Sequence, residues 1–574
     1  MKVVCDIETD ALDAKVIHCI VCKDIDTGTR WSFFNESLND FKEFAKDVDH
    51  WIGHNFLSFD APVLNRLMGT SISPKQVTDT LILSQMDKPD REGGHSLKSW
   101  GERIKDSKLE FKIFDYFSQE MLDYCIQDVD LCHKVYKHLL KKLSNYTCNS
   151  IRMEHTIRYI VNEQQSNGFA FKFSEANIFK SQLTQIMIEV EQEVHKTMRP
   201  MAVCLKEVTP VYNKDGQLSK RNLKLLGDMQ EYVCGHFSLI KFNDFNLGSR
   251  QQIAKQLIRK GWKPTKFTEK GSIIVDESVL EKVNLPEAQM IYRYLMLQKR
   301  IAQLDNWLKA YSYDSGCIHG RVITLGANTN RMTHMSPNVA QTPASYSPYG
   351  KECRELFTVR SDDRVLVGCD ASGLELRCLA HYMDDTQFTK ELLGGDIHTA
   401  NQKMAGLETR DQAKTFIYAL IYGAGPAKMG KIVGKGKPAG QKMINDYLDA
   451  VPALRRLRKK IDKASASGMI KAVDGRLLNI RSQHSALNTL LQGMGAIVCK
   501  YWLIEIIKRI HKHKLDAKLV ASIHDEYQFD VHKDCAEDFA MHTNKAIKDV
   551  EIDLELRCPL DSDYKIGNNW CETH

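Results

Sequence analysis

Acidic residues at fixed spacings are the first chemistry this sequence offers. Asp6 and Glu8 stand two apart in the apolar run Lys2–Thr9, so on a strand both side chains leave one face. Asp60 closes the segment His54–Asp60, and Tyr124 and Asp128 stand one helical turn apart within the pattern Met121–Leu140. Carboxylates gathered at one spot repel each other unless cations lie between them, and hard oxygen donors suit Mg²⁺ or Mn²⁺. Two such ions about 4 Å apart can activate a water and stabilise the leaving oxygen of a phosphodiester. Tyr124 would orient that water. Each acid also has an ordinary use. Asp60 before Ala61-Pro62 suits a helix N-cap, and Asp6 and Glu8 could be solvated strand-end acids. The combination favours the metal site: Asp-x-Glu on a first strand, a later Asp, then Tyr-x-x-x-Asp on a helix.

A second group lies downstream. Arg364–Asp370 is an apolar strand ending in an acid, and His524-Asp525-Glu526 joins two further strands. Side by side, those strands would bring Asp370 and Asp525 together, although Asp also favours turns for its own backbone hydrogen bonds. Arg410, Lys414, Tyr418 and Tyr422 recur every four residues and form one slanted stripe on a helix. At 1.5 Å per residue the stripe covers about 18 Å, the scale of a nucleoside triphosphate. Cations at one end suit phosphates, and aromatic rings further along suit the sugar and base.

The elements that must position these groups follow from periodicity. Lys2–Thr9, Val16–Lys23 and Arg30–Phe34 read as strands, Trp51–Asn55 as a short one, and Ala61–Met68 as a helix. Helical period dominates 148–305, with helices expected at Ile151–Asn167, Ala176–Met198 and within Leu280–Tyr311. An insertion at about 200–243 breaks that stretch. It carries a hairpin signal at Asn213–Gly216 and a basic cluster of Lys214, Lys220, Arg221 and Lys224. Beyond 306 strands and helices alternate, with a helix at Asp411–Tyr422 stopped by Gly423.

Composition excludes several classes. The 574 residues are 43% hydrophobic and 26% charged, an ordinary globular balance that argues against disorder, collagen and coiled coil. The net charge, +6, permits a nucleic-acid partner without arguing for one. No run of about 18 apolar residues suggests a membrane span, and the acids of MKVVCDIETD argue against a signal peptide. The 16 cysteines are scattered, mostly in apolar stretches, and read as buried thiols. Cys19 and Cys22 have zinc-type spacing, but strand alternation would turn them to opposite faces.

The first acidic group resembles that of the DEDD-type 3′–5′ exonucleases, in the subgroup with tyrosine. The segments DASGLELRCLAH, GGDIHTANQ, RDQAKTFIYALIYGAG, HSALNTLLQGMGA and HDEYQ resemble the A, B and C motifs and neighbouring segments of family A DNA polymerases. The likeness is greatest to the replicative enzymes of T-seven-like short-tailed bacteriophages. It implies an α/β multidomain chain, with a ribonuclease H-like exonuclease domain followed by a right-hand polymerase. The expected domains are exonuclease at 1–147, thumb at 148–305, fingers at 383–481, and a palm built from two stretches, 306–382 and 482–574.

The resemblance also implies roles. Asp370, Asp525 and the Ala371 carbonyl would hold two Mg²⁺ ions, with Glu526 behind them. Asp6, Glu8, Asp60 and Asp128 would hold two more, and Mn²⁺ could substitute in either site. His398, Arg410 and Lys414 would grip the triphosphate, with Lys414 a candidate proton donor to pyrophosphate. Glu375 would exclude a ribose 2′-hydroxyl. Tyr418, where relatives carry Tyr or Phe, should accept dideoxynucleotides readily. Tyr422 would stack near the templating base, while Arg331, Gln492 and His524 would touch the minor groove. Asn330 stands where the family pattern has glycine. Implied partners are primer–template DNA, dNTPs and a phage helicase-primase in the cytoplasm of an infected bacterium. The insertion falls where the phage enzyme binds host thioredoxin. It would raise processivity through such a factor or through its own basic cluster. A single-subunit RNA polymerase shares the palm, but Glu375 and the exonuclease pattern argue against it. A decayed DNA-binding protein would have lost the carboxylates.

Overall fold

The computed structural model describes residues 1–106, 108–198, 200–227, 235–268 and 270–574. It forms two compact units, one of Met1–Phe171 with Ala310–His574 and one of Lys172–Lys309.

The first unit opens with β1 (Lys2–Thr9), β2 (Ile17–Asp24), β3 (Arg30–Phe34) and β4 (His50–Gly53), then α1 (Asp60–Leu67) and β5 (Val77–Asp79). These strands make a sheet of order β3-β2-β1-β4-β5. β1 runs antiparallel to β2 and parallel to β4. Val3, Val4, Cys5 and Ile7 are all buried, because both faces of the central strand are covered. The same covering buries Cys19 and Cys22 on β2. Helices α2 (Leu97–Ile104) and α3 (Gln119–Lys142) follow, α3 starting at a Ser118 side-chain cap on Met121 N–H. Next comes α4 (Cys148–Asn167), which belongs to this first unit.

The second unit contains α5 (Phe173–Thr197), an antiparallel ladder of β6 (Met201–Val208) with β7 (Phe237–Asn243), the helix α6 (Lys220–Leu226) and the long α7 (Pro286–Ala310). The ladder coincides with the insertion expected at 200–243, of which 228–234 lie outside the described residues. The expected turn is present, with Asn213 N–H donating to Gln217 O at 2.7 Å and Gly216 at φ 76°.

The first unit resumes with β8 (Arg364–Ala371), α8 (Leu374–Met383), α9 (Ile397–Met404), α10 (Arg410–Ile421), α11 (Ala486–His513), β9 (Ala517–Ile523), β10 (Glu526–His532) and β11 (Ser562–Gly567). The sheet order is β9-β10-β8-β11. By length and hydropathy the segment Gln483–His513 could cross a membrane, a signal the run-length reading passed over. Most of that helix is buried inside the molecule, which explains apolar residues on all its sides.

One buried ionic network crosses this unit. Glu154 on α4 accepts from Lys500 Nζ on α11 at 2.8 and 2.9 Å and also pairs with Arg476. Arg476 further binds Asp474 at 2.8 Å and Asn330 Oδ1 at 3.3 Å. Asn330 sits at φ 58°, a left-handed conformation that Asn tolerates better than most residues. The departure from glycine is therefore accommodated, and its side chain gains a buried partner. Beside Glu154 on α4, His155 Nε2 accepts Asp79 N–H at 2.8 Å.

Candidate functional site

Two acidic sites stand at strand ends in the first unit. In the first, β1 carries Asp6 and Glu8, and their oxygens lie within 4.8 Å of each other and of Cys125 Sγ on α3. Asp60 is the first residue of α1 rather than its N-cap. Its Oδ1 accepts Ile7 N–H at 3.2 Å, which ties it to the segment between the two β1 acids. Burial pushes Asp6 up to about 7, aided by the Asp128 charge. Glu8 is pushed up to about 10 by burial and then by Asp6. Asp60 and Asp128 are raised as well, first by burial. All four acids therefore lie about one place at the end of β1, with Tyr124 on the same helix as Asp128.

Two neighbours had no sequence signal. Cys125 lies between Tyr124 and Asp128, and its thiol meets Asp6 Oδ2 at 3.8 Å. Lys108, on the segment between α2 and α3, forms an ion pair with Asp128 Oδ2 and lies 4.5 Å from the centre of the Tyr124 ring. Asp128 Oδ1 is buried without a hydrogen-bond partner. An orphaned anionic oxygen among raised carboxyls fits a divalent cation.

The second site forms where β8 and β10 pair, with Asp370 opposite Glu526. Ala371 N–H donates to Asp525 O at 3.1 Å, so the two acids are neighbours. Burial pushes Asp370 up to about 7, followed by the charges of Asp525 and Glu526. Asp525 is raised by burial. Burial also works to raise Glu526, but hydrogen bonds with His574, Gln528 and Trp570 outweigh it and hold the group below its usual value. Glu526 meets His574 Nδ1 at 2.6 Å and accepts from Gln528 Nε2 and Trp570 Nε1 at 2.7 Å each. It is spoken for by protein donors, whereas Asp370 and Asp525 crowd each other as cation ligands do.

Arg410, Lys414 and Tyr418 line α10, and Tyr422 caps it, its N–H donating to Tyr418 O at 2.9 Å. His398 on α9 lies 6.3 Å from Tyr418, ring centre to ring centre. Sequence reading missed Asp396, which caps α9 and holds Arg410 Nε at 2.7 Å. The acid directly before Ile397-His398 is a helix-start signal that could have found it. Glu375 is doubly held, accepting from Tyr422 Oη at 2.6 and 2.8 Å and from Arg331 at 3.2 Å. Three residues assigned separate roles therefore form one cluster. Gln492 is half-buried on α11, and His524 is exposed at φ 58° in the β9–β10 turn.

The crowded acids predict a pH dependence. A carboxyl whose folded pKa lies above its unfolded value of about 4 favours the folded chain while protonated. That contribution is lost as pH rises through the folded values, about 7 for Asp6 and Asp370. Without divalent cations, the thermal midpoint of the protein should fall from about pH 4 to 7 relative to the Asp6→Asn/Asp370→Asn variant. Added Mg²⁺ should narrow the gap above pH 7. Parallel midpoint curves for the two proteins would refute the crowding.

The sequence model for DNA polymerase family A matches residues 216–572. The chain is 33% identical to the DNA-directed DNA polymerases of Enterobacteria phage T3 and Escherichia phage T7, over 100% of both chains in each case. It is 39% identical to that of Escherichia phage Phieco32 over 40% of this chain and 41% of the relative. Its fold resembles a solved structure described as the POL domain of Pol1 from M. smegmatis in complex with DNA primer-template and dNTP. The TM-score is 0.78 at 18% identity, over 100% of this chain and 95% of the other.

Proposed function

Because the chain belongs to DNA polymerase family A, as a DNA-directed DNA polymerase of the phage T7 type, we propose that it extends a primer at the β8–β10 site and proofreads at the β1 site. The observation that carries this reading is that Asp370 and Asp525 are brought together, Ala371 N–H donating to Asp525 O at 3.1 Å, beside Tyr418 on the cation- and aromatic-lined α10. Asp370, Asp525 and the Ala371 carbonyl would hold two Mg²⁺ ions, and Asp6, Glu8, Asp60 and Asp128 two more, with Mn²⁺ as a substitute. Bound there, the ions lower the pKa of an attacking hydroxyl or water and offset charge on the phosphate.

The protein's own groups do the rest. His398, Arg410 and Lys414 bind the triphosphate, with Lys414 exposed and available to protonate the leaving pyrophosphate. Asp396 aims Arg410 by holding its Nε. Glu375, fixed by Tyr422 and Arg331, fills the place a ribose 2′-hydroxyl would need, which favours DNA over RNA synthesis. Tyr418 carries its hydroxyl beside the nucleotide. Arg331, Gln492 and His524 offer donors to the minor-groove acceptors common to all correct pairs. Glu526, the first residue of β10 and opposite Asp370, is a positioning residue behind the metal-binding acids. Tyr124 orients the attacking water in the β1 site. The ladder of β6 and β7 would serve processivity, alone or with a host thioredoxin, in the cytoplasm of an infected bacterium.

Primer extension tests the reading. Purified protein with Mg²⁺, four dNTPs and a primed template should extend the primer to the template end, and ribonucleotides should add far more slowly. Without dNTPs the same protein should shorten the primer from its 3′ end. No template-dependent extension would overturn the proposal.

A further inference from the structure

Lys108 is the one cation described among the acids of the β1 site that nothing in the sequence pattern required. It lies on the irregular segment between α2 and α3, and its side chain is 18% exposed. The segment is tied to α3 on both sides of it. Asp106 pairs with Lys134 at 2.7 Å, and Leu109 N–H donates to Gln127 Oε1 at 2.5 Å. Gly101 on α2 lets the segment pass close. A Cβ there would stand 2.6 Å from Asp106 O and 3.3 Å from Lys108 N. Lys108 is therefore delivered to the face of α3 that carries Tyr124 and Asp128, rather than meeting it by chance.

What it does there follows from how it divides Asp128. The ammonium takes Oδ2, and Oδ1 stays buried and unpaired. Its charge also reaches Asp6 and Glu8, but among the described carboxylates its hydrogen bond goes to Asp128 Oδ2, whereas a lysine filling the place of the metal would bond both oxygens or the β1 acids. The same ammonium lies over the Tyr124 ring, so one group fixes the two α3 residues on which hydrolysis depends. Outer partners that fix a ligating carboxylate typically change metal affinity or activity by about 10- to 100-fold.

We propose that Lys108 is a positioning residue of the hydrolytic site, holding Asp128 by one oxygen so that the other is presented to a divalent cation, and holding Tyr124 beside it. This rests on the proofreading reading of the β1 site. It gives the 105–118 segment a function, since loss of its ties to α3 would release Asp128 and Tyr124 together.

The test uses the full chain with Lys108→Met and Lys108→Arg. Bound Mn²⁺ is counted by electron paramagnetic resonance, with Asp6→Ala/Glu8→Ala subtracted as the background of other sites. Degradation of a 3′-labelled single-stranded oligonucleotide is followed across a Mn²⁺ series, and primer extension on the same preparations reports folding. Lys108→Met should weaken Asp6/Glu8-dependent Mn²⁺ binding and slow degradation by about 10- to 100-fold. High Mn²⁺ should partly restore degradation, and Lys108→Arg should stay within a few-fold of wild type. Unchanged binding in Lys108→Met overturns the proposal. Tighter binding with faster degradation also overturns it, by showing that the lysine competes with the cation. If the wild type degrades nothing, the proofreading reading falls, while the Mn²⁺ counts still decide whether Lys108 supports cation binding.

Discussion

Asp370→Asn or Asp525→Asn is expected to stop nucleotide addition while leaving the protein folded and bound to DNA. Both acids stand where β8 meets β10, and each is raised by burial. Asn keeps the shape and loses the charge. Removing an anionic ligand from a catalytic cation site forfeits several kcal/mol of transition-state stabilisation, and about 4 kcal/mol is a loss near a thousandfold. Affinity for primer–template should hold or rise, because Lys and Arg contacts to phosphate carry it and a repelling charge has gone. Single-turnover extension and fluorescence anisotropy measure the two quantities on one preparation. Extension at near wild-type rates by either variant would remove the metal assignment. The variants should also be no less stable than wild type without divalent cations, since they relieve like-charge crowding.

The second large effect concerns β1. Asp6→Ala with Glu8→Ala should abolish 3′–5′ degradation, by a factor of about 10³ or more on the same reasoning. Primer extension should be nearly unaffected. These acids belong to the β3-β2-β1-β4-β5 sheet, whereas Asp370 lies on β8 of the β9-β10-β8-β11 sheet and Asp525 in its β9–β10 turn. The pair tests whether the chain holds one hydrolytic and one synthetic centre. If extension is lost in a variant with the wild-type melting profile, the centres are not separate. If degradation persists, the hydrolytic centre lies elsewhere.

The sites were legible in the sequence to the extent that their chemistry is periodic. Asp6 and Glu8 repeat at strand spacing, Tyr124 and Asp128 at helix spacing, and the α10 stripe at four, so residue type and period together located them. The long helices were legible for the same reason, with ends shifted by a few residues where caps such as Ser118 and Thr409 extend them. Groups delivered by irregular backbone or by distant elements left no such trace. Lys108 comes from a segment with no period. Arg476 and Lys500 lie 322 and 346 residues from Glu154 along the chain, and only folding makes them partners. Asp60 misled in its alternative reading, since it begins a helix without capping it. Its partner Ile7 N–H is 53 residues away. The apolar helix α11 shows a further limit, as hydropathy alone does not distinguish enclosure by protein from enclosure by lipid.

The helix α4 carries a consequence for how such a chain can be divided. Its consecutive residues Glu154 and His155 reach in two directions, one to Arg476 and Lys500, the other to the Asp79 backbone beside the β1 site. A gene cut at 147/148 would give an N-terminal fragment in which Asp79 N–H has lost its acceptor. A cut after 171 would leave Arg476 and Lys500 without Glu154, and a buried charge stripped of its partner costs about 3–5 kcal/mol. Neither half is self-sufficient at the seam. Recombination between related genes should therefore exchange the β1 sheet and the β8 sheet as a single block, or bring α4 along with compatible residues at 79, 476 and 500. The seam, rather than either acidic cluster, sets which chimeras fold.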